Sequence, residues 1–303
     1  MTVLKLANGV PVPARPSVSE SLPLPFGTSE KSITTLRHLS ESINSFNSNQ
    51  SNKDLLDRIR SYNHEIVRCF DDLSPLADTH LLDIGASPHQ YAMEKSVECG
   101  VACYVGVGLD IDTTLSVDVL GSRCHLRNMN AQSLQFENNS FDRIMSMSTF
   151  EHIADVPQAL SEIHRVLRPG GTALITFEPL WTCSYGHHLH QYEEIAQLVP
   201  PWAHLIWNRD QMREYLSRIF PENASLDLEQ TIHWIYENPV INRVGISEMR
   251  DHIYSSALNI VWIVPIPETT DDEGQLHLAS DVTGYSYDDL MTRGLSIFMK
   301  KIQ

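Results

Sequence analysis

Residues 82–88 read Leu82-Asp83-Ile84-Gly85-Ala86-Ser87-Pro88, the pattern of a buried strand that enters a tight turn and then a helix. Gly85 can adopt a positive φ angle and lets a ligand approach the backbone. Pro88 suits the first position of a helix, because its missing N–H would have no partner there. Open α/β sheets bind ligands at such turns, where the helix N–H groups favour an anion. This stretch therefore predicts a cofactor site at the carboxyl edge of an α/β sheet.

Strand and helix patterns alternate around this stretch. Helical periodicity runs from Lys53 to about Asp72, over residues 90–99, and in a helix capped by Asp155. Apolar runs predict strands at residues 81–84, 102–109, 141–147, 172–177, 259–264 and 295–299. Such alternation predicts a Rossmann-like, doubly wound and mostly parallel sheet with helices on both faces.

Two segments depart from this rhythm. Residues 1–52 are rich in Pro, Ser and Asn, a composition that buries little, and are predicted to form a partly mobile arm or lid. Residues 179–240 carry most of the tryptophans and a cluster of histidines, and are predicted to form a cap inserted beside the active site. The main domain is accordingly assigned to residues 53–303.

Composition narrows the classes of partner. The 303 residues include 38 acidic and 22 basic side chains, a formal charge of -16, which disfavours nucleic acid and anionic membranes as partners. The five cysteines form no C-x-x-C pair, which argues against a disulfide framework or a structural zinc. Neither a secretory signal nor a membrane span is visible, so a cytoplasmic protein is expected. A homodimer is compatible with the sequence.

The acids beside the predicted turn suit a nucleoside cofactor. Asp83 could accept a hydrogen bond from an ammonium group or hold the amides of the turn. Asp110 and Asp112 follow the second strand, where a carboxylate would bind ribose hydroxyls, and Asp110 is favoured. A dinucleotide is disfavoured, because Ser87 and His89 replace the glycines that its pyrophosphate requires.

Five segments in order resemble the motifs of class I S-adenosylmethionine-dependent methyltransferases that act on small molecules. They are Asp83 to Ser87, the acid after the second strand, Asn130 to Asp142, Phe150 to Ile153, and Val166 to Gly171. The resemblance covers roughly residues 65 to 180 and is weaker over the last forty residues. It implies a sheet of seven strands, S-adenosylmethionine as cofactor and methyl transfer to an O or N atom of a small acceptor.

The resemblance also implies roles for residues in this chain. Asp83 and the turn Gly85, Ala86 and Ser87 would surround the methionine part of the cofactor, and Asp110 would bind the ribose. Asn130 and Ala131 would lie at the adenine edge, and Ser146 and Met147 at the sulfonium. The chain departs from the family where Ser87 replaces a second glycine and Asn130 replaces an acid, although an amide oxygen can accept the same bond.

Methyl transfer from a sulfonium is an in-line displacement that chiefly needs alignment and exclusion of water. If a base takes part, His187 or His188 is favoured, and Glu151 would face the same cleft. The alternative is that these histidines pack the cap against Trp202 and His204. A metal held by Glu178, His188 and His190 would require the loop to fold back, so none is predicted.

Trp181, Tyr185, Trp202 and Trp207 could line the acceptor pocket, or could simply pack the core. Two other functions remain open. The chain could bind S-adenosylmethionine as a non-catalytic regulatory or scaffold subunit, since fold alone does not establish chemistry. A nicotinamide-dependent oxidoreductase is weakened by the missing glycines.

The assignment of Asp110 to the ribose gives the first testable prediction. Asp110→Ala is expected to weaken binding of S-adenosylmethionine by about an order of magnitude or more, because charge-assisted hydrogen bonds to the ribose hydroxyls are lost. Isothermal titration calorimetry measures the change. Unchanged affinity in a folded variant would contradict the assignment.

Overall fold

The computed structural model describes residues 34–35, 55–86, 90–112 and 114–302. The predicted N-terminal arm therefore lies almost wholly outside the described residues, as do Ser87, Pro88 and His89 of the turn after the first strand.

Within the described ranges, one sheet of eight strands forms the centre of the molecule. The strands are β1 (His80–Ile84), β2 (Cys103–Gly108), β3 (Leu115–Val119), β4 (Ser122–Asn128), β5 (Phe141–Met147), β6 (Leu167–Phe177), β7 (Asn259–Pro267) and β8 (Thr292–Lys300). Their spatial order is β3-β4-β2-β1-β5-β6-β8-β7. Strands β4, β2, β1, β5 and β6 run parallel, whereas β3 is antiparallel to β4, and β8 to both its neighbours. The predicted mostly parallel α/β fold is confirmed.

The described sheet has one strand more than the seven that the resemblance implied, and the hairpin of β3 and β4 accounts for it. Val119 pairs with Ser122, and both residues of the loop, Leu120 and Gly121, have positive φ angles of 49° and 85°. Two positive φ angles define the tight turn that matches the twist of an antiparallel pair. Strand β3 lies at the edge and buries little, so its sequence carries only a weak strand pattern.

The helices separate into those that cover the sheet and those of the inserted segment. They are α1 (Leu55–Leu73), α2 (Tyr91–Glu98), α3 (Val156–Val166), α4 (Glu193–Ala196), α5 (Ala203–Ile206), α6 (Arg209–Leu216), α7 (Leu228–Glu237), α8 (Ile246–Tyr254), α9 (Glu273–Thr283) and α10 (Tyr287–Leu290). Apolar side chains of α1 and α2 pack on one face of the sheet, and those of α3 and α8 on the other. The sheet is therefore doubly wound. Among the helices of the described residues, none combines the length and apolar composition needed to cross a membrane.

Local sequence features set the ends of α3. The Asp155 carboxylate accepts a hydrogen bond from the Gln158 N–H at 3.0 Å, as predicted for an N-cap. Strand β6 follows at once and begins at Leu167 rather than at the predicted Thr172, because Leu167 pairs with Phe141 before the register shifts at Pro169 to Gly171.

The inserted segment, residues 179–240, has an apolar core of its own. Helices α4 to α7 contribute its buried side chains, which include Ile195, Met212 and Ile235. Trp202 is fully buried against Ala279 of α9 and Leu290 of α10. The Ser184 hydroxyl donates to the Glu268 carboxylate at 2.6 Å, which also ties the cap to the end of β7. The cap is thereby held over the carboxyl edge of the sheet.

Lys301 gives a test of how the end of the chain holds the fold. Its buried ammonium group donates to the Asn139 side-chain oxygen at 2.7 Å and to the His164 and Leu167 carbonyls at 2.8 and 2.9 Å. Lys301→Met should lower the free energy of unfolding by about 2 kcal/mol, because three oxygen acceptors lose a charged donor. Urea unfolding measures the change. Lys300→Met, at an exposed neighbour, is the control, and an equal loss in both variants would contradict the explanation.

Candidate cofactor and acceptor site at the carboxyl edge of the sheet

The turn after β1 is fixed by neighbours on both sides. Gly85 has a φ angle of 84°, and the N–H groups of Gly85 and Ala86 donate to the Val107 carbonyl at 2.7 and 3.0 Å. A Cβ atom added at Gly85 would lie 1.8 Å from the Thr149 hydroxyl oxygen. Only glycine fits there, because the position needs both a left-handed backbone and the absence of a side chain. The ends of β1, β2 and β5 consequently meet at this turn.

Asp83 lies beneath the turn and is bonded to the neighbouring strand. Its side chain is 2% exposed, and its carboxylate accepts a hydrogen bond from the Tyr104 hydroxyl at 2.5 Å. Burial raises the pKa of Asp83 to about 7, although the hydrogen bond from Tyr104 lowers it. Tyr104 had no assigned role in the sequence. The predicted contact of Asp83 with an ammonium group stays a prediction.

Asp110 and Asp112 are both exposed in the loop after β2. The Asn128 side-chain amide donates to the Leu109 carbonyl at 2.8 Å, which holds this loop against β4. The Asp110 carboxylate lies close enough to His152 to act on the pKa of its imidazole. Asp110 is therefore at the same edge as the turn after β1, and its predicted role towards ribose is compatible with that position.

The other predicted cofactor residues lie along this edge, and some of their polar groups form hydrogen bonds within the protein. The Asn130 side-chain oxygen accepts from the Gln132 N–H at 2.9 Å, which closes the turn that also contains the half-buried Ala131. The Ser146 hydroxyl donates to the Ile84 carbonyl at 2.9 Å and so ties β5 to β1. Met147 is buried at the end of β5. Their contacts with adenine and the sulfonium stay predictions.

Glu151 is a buried acid that follows β5 at the carboxyl edge of the sheet. It lies in a short 3-10 turn, Phe150–His152, directly after β5, and its side chain is 2% exposed. Within the described residues, its Oε2 atom is buried and has no hydrogen-bond partner. Burial raises the pKa of Glu151 well above its usual range, and the neighbouring Glu178 raises it further.

Asn242 holds this turn in place, a role that the sequence did not suggest. Its side-chain amide donates to the Phe150 carbonyl at 2.8 Å and to the Ile153 carbonyl at 3.0 Å. Its backbone N–H donates to the Glu151 carbonyl at 3.1 Å. Asn242, which lies two residues beyond the cap, therefore fixes the backbone on both sides of Glu151.

His188 and His152 lie beside Glu151. Their ring centroids are 5.0 Å apart, and the ligand atoms of the three side chains all lie within 4.8 Å of one another. The Nδ1 atoms of His188 and His152 lie 2.7 Å from the Gly186 carbonyl and 3.1 Å from the Val240 carbonyl, respectively. Burial and the neighbouring His152 lower the pKa of His188 to about 3. The structure thus brings predicted residues from the domain and the cap into one cluster.

His187, the other predicted base, lies elsewhere. Its side chain is fully buried, its Nδ1 accepts from the Leu189 N–H at 3.1 Å, and its ring centroid is 5.3 Å from that of His204. The indole of Trp234 donates to the His187 carbonyl at 3.1 Å. These surroundings match the alternative in which a histidine packs the cap.

The remaining groups around the cluster come from three further elements. Glu178, after β6, forms an ion pair of 2.9 Å with Arg293 of β8. Tyr62 of α1 is buried beside these acids, and burial together with Glu178 and Glu151 raises its pKa. Of the two acids, Glu151 lies beside His188, and Glu178 forms its ion pair with Arg293.

The aromatic residues of the cap pack against protein groups. Trp181 lies against His204 with ring centroids 4.6 Å apart, and Trp207 lies against Tyr215 at 4.9 Å. Trp202 belongs to the fully buried contact with α9 and α10, and Tyr185 is 37% exposed. Their contact with an acceptor stays a prediction.

Comparison with known proteins identifies the segment that contains the turn. Residues 82–175 match the family model described as a methyltransferase domain. This segment of the chain is similar to a methyltransferase domain. The matched segment runs from β1 to β6 and includes the turn at Gly85, Asp110 and Glu151, whereas His188 and Asn242 lie outside it.

Curated relatives match parts of the chain. Phosphoethanolamine N-methyltransferase 2 of Caenorhabditis elegans is 32% identical over 121 residues, which are 38% of this chain and 26% of the relative. A ubiquinone/menaquinone biosynthesis C-methyltransferase of Dinoroseobacter shibae is 26% identical over 167 residues, 51% of this chain and 65% of the relative. This chain therefore spans about a quarter of the first relative and just under two thirds of the second.

Among solved structures, an S-adenosylmethionine-dependent methyltransferase from Mesorhizobium loti superposes with a TM-score of 0.48 at 14% identity. The superposition covers 81% of this chain and 99% of that protein.

The raised pKa of Asp83 predicts how the stability of the methyltransferase domain depends on pH. Folding favours the protonated carboxyl group, so its contribution is complete below about pH 4, the range of an ordinary aspartate, and is lost as the pH rises through about 7. Asp83→Asn keeps an oxygen acceptor for Tyr104 but cannot ionise. Between pH 4.5 and 7.5, the free energy of unfolding of the native chain should fall relative to the variant, by up to about 1.4 kcal/mol per pH unit. Urea unfolding at several pH values tests this, and parallel pH profiles would contradict it.

Proposed function

We propose that this protein transfers the methyl group of S-adenosylmethionine to an O or N atom of a small-molecule acceptor. The match of residues 82–175 to a methyltransferase domain carries the proposal. The position of the Gly85 turn and of Asp110 at one sheet edge supports it, since open α/β sheets bind their ligands there.

The cofactor is assigned to the carboxyl ends of β1, β2, β4 and β5. Asp83 and the turn Gly85, Ala86 and Ser87 would surround its methionine part, and Asp110 its ribose. Asn130 and Ala131 would lie at the adenine, and Ser146 and Met147 at the sulfonium. The left-handed backbone at Gly85 lets the chain turn sharply at the end of β1, where the cofactor is assigned.

The acceptor is assigned to the cluster of Glu151, His152 and His188. An O–H or N–H acceptor has to lose its proton during transfer, so polar groups that lower its proton affinity speed the reaction. Glu151 and His188 present buried polar atoms without a hydrogen-bond partner in the described part of the chain. The cap above them would align the acceptor with the methyl group and exclude water.

The names of the two relatives state which kind of atom each of them methylates. One acts on nitrogen of phosphoethanolamine and the other on carbon of a quinone precursor, and each is similar to this chain over part of its length. The choice of O or N here rests on the acceptor cluster, whose two imidazoles and carboxylate suit a group that carries a removable proton.

Calorimetric titration with S-adenosylmethionine, its demethylated product and NAD tests the cofactor assignment. Micromolar binding of the first two and none of NAD is expected. Transfer of radiolabelled methyl groups to pooled phenols, alcohols and amines then tests the reaction. If neither S-adenosylmethionine nor its demethylated product binds, the proposal is overturned. If they bind but no acceptor is methylated, a non-catalytic scaffold is favoured.

The two neighbouring histidines provide matched variants once an acceptor is found. His188→Ala should lower turnover by about 100-fold or more with an unchanged Kd for S-adenosylmethionine, because His188 lies at the acceptor cluster. His187→Ala should chiefly lower the melting temperature, because its ring packs against His204. If His188→Ala lowers the affinity for S-adenosylmethionine as much as it lowers turnover, His188 has a structural role instead.

A further inference from the structure

We propose that Glu151, His152 and His188 form a binding site for one divalent transition-metal ion. Their candidate ligand atoms all lie within 4.8 Å of one another. Nitrogen and oxygen ligands bind ions such as Zn²⁺ at about 2.0–2.2 Å, so two ligands of one ion are up to about 4 Å apart. Small side-chain rotations therefore suffice to close the three groups around an ion.

The hydrogen bonds of both imidazoles support this assignment. A backbone carbonyl can only accept, so the Nδ1 atoms facing Gly186 and Val240 carry the protons of the two neutral rings. The Nε2 atom of each neutral ring then has its lone pair available to an ion. Metal-binding histidines are usually oriented in this way, by a bond from the second ring nitrogen to a carbonyl or carboxylate.

Buried polar atoms without partners give an independent reason to expect a ligand. Glu151 Oε2 and His188 Nε2 have no hydrogen-bond partner within the described residues, and their side chains are 2% and 4% exposed. Each such buried atom costs roughly 1–3 kcal/mol when unsatisfied. One ion bound between them would satisfy both and would also neutralise the Glu151 carboxylate.

The surrounding charges are compatible with a bound cation. Asp110 acts on His152, and Glu178 acts on Glu151 while paired with Arg293. The ring of His190 lies next to the site, with its centroid 6.0 Å from that of His188. Two imidazoles and one carboxylate suit Zn²⁺, Fe²⁺, Co²⁺ or Mn²⁺ better than Mg²⁺ or Ca²⁺, which prefer oxygen ligands alone.

Three protein ligands leave coordination positions for another group. Resting on the proposed function, we assign one of them to the acceptor: an oxygen bound to a divalent ion gives up its proton more readily. The partly exposed His152 lies on the side of Asp110 and the predicted ribose site. Because His188 belongs to the cap and the other two ligands follow β5, the ion would also join the cap to the methyltransferase domain.

Titration of the chelator-treated protein with Co²⁺, followed by visible absorption and calorimetry, tests the site without any need for turnover. One ion per chain with a micromolar or lower Kd is expected, displaced by Zn²⁺ and accompanied by a higher melting temperature. Glu151→Gln and His188→Ala should each weaken Co²⁺ binding by about tenfold or more, as loss of a ligand requires. His277→Ala, an exposed histidine of α9, is the matched control and should bind Co²⁺ as the native chain does.

Absence of Co²⁺ binding by the native chain would overturn the proposal, as would equal affinity in the native chain and the folded ligand variants. His152→Ala, at the partly exposed ligand, serves if the two buried substitutions prevent folding, which circular dichroism reports. Titration of the metal-free chain with S-adenosylmethionine separates the two proposals: loss of Co²⁺ binding with cofactor binding retained refutes only the metal site.

Discussion

The close approach of Thr149 to Gly85 determines how tightly the loop after β5 packs on the turn after β1 in this protein. The turn after β1 bonds to the Val107 carbonyl of β2 on one side and leaves no space for a side chain towards Thr149 on the other. The two loops that follow β2 and β5 are therefore held against the same turn. Asp110 and Glu151, which lie in those loops, reach one edge of the sheet because of this approach.

Residues 240–242, at the end of the cap and just beyond it, add the second constraint. Asn242 bonds to the carbonyls of Phe150, Glu151 and Ile153, and the Val240 carbonyl faces the His152 ring. The short turn after β5 thus depends on a segment that lies beyond the cap in the chain. Since the buried contact of Trp202 with α9 and α10 fixes the other side of the cap, the acceptor cluster is held by parts of the chain distant in sequence. Such support keeps side chains in a defined geometry, which both binding and catalysis require.

Two of the elements that sequence patterns missed, β3 and α9, bury little. Strand β3 exposes most of its residues, and of the residues of α9 only Ala279 is buried, so neither has a clear apolar period. Strands β1, β2 and β5 were predicted to within a residue or two, because both of their faces are covered and most of their residues are apolar.

The sequence by itself determined the alternating α/β fold, the glycine turn after β1 and the N-cap of α3. These depend on local effects: apolar periodicity, the backbone freedom of Gly85 and the hydrogen bond of Asp155. Only the tertiary structure decided that Glu151 rather than Glu178 lies beside His188, that His187 turns away towards His204, and that Asp83 is bonded to Tyr104. Contacts between side chains of different elements depend on the path of the chain and on how its elements pack, and residue spacing along the sequence does not specify either.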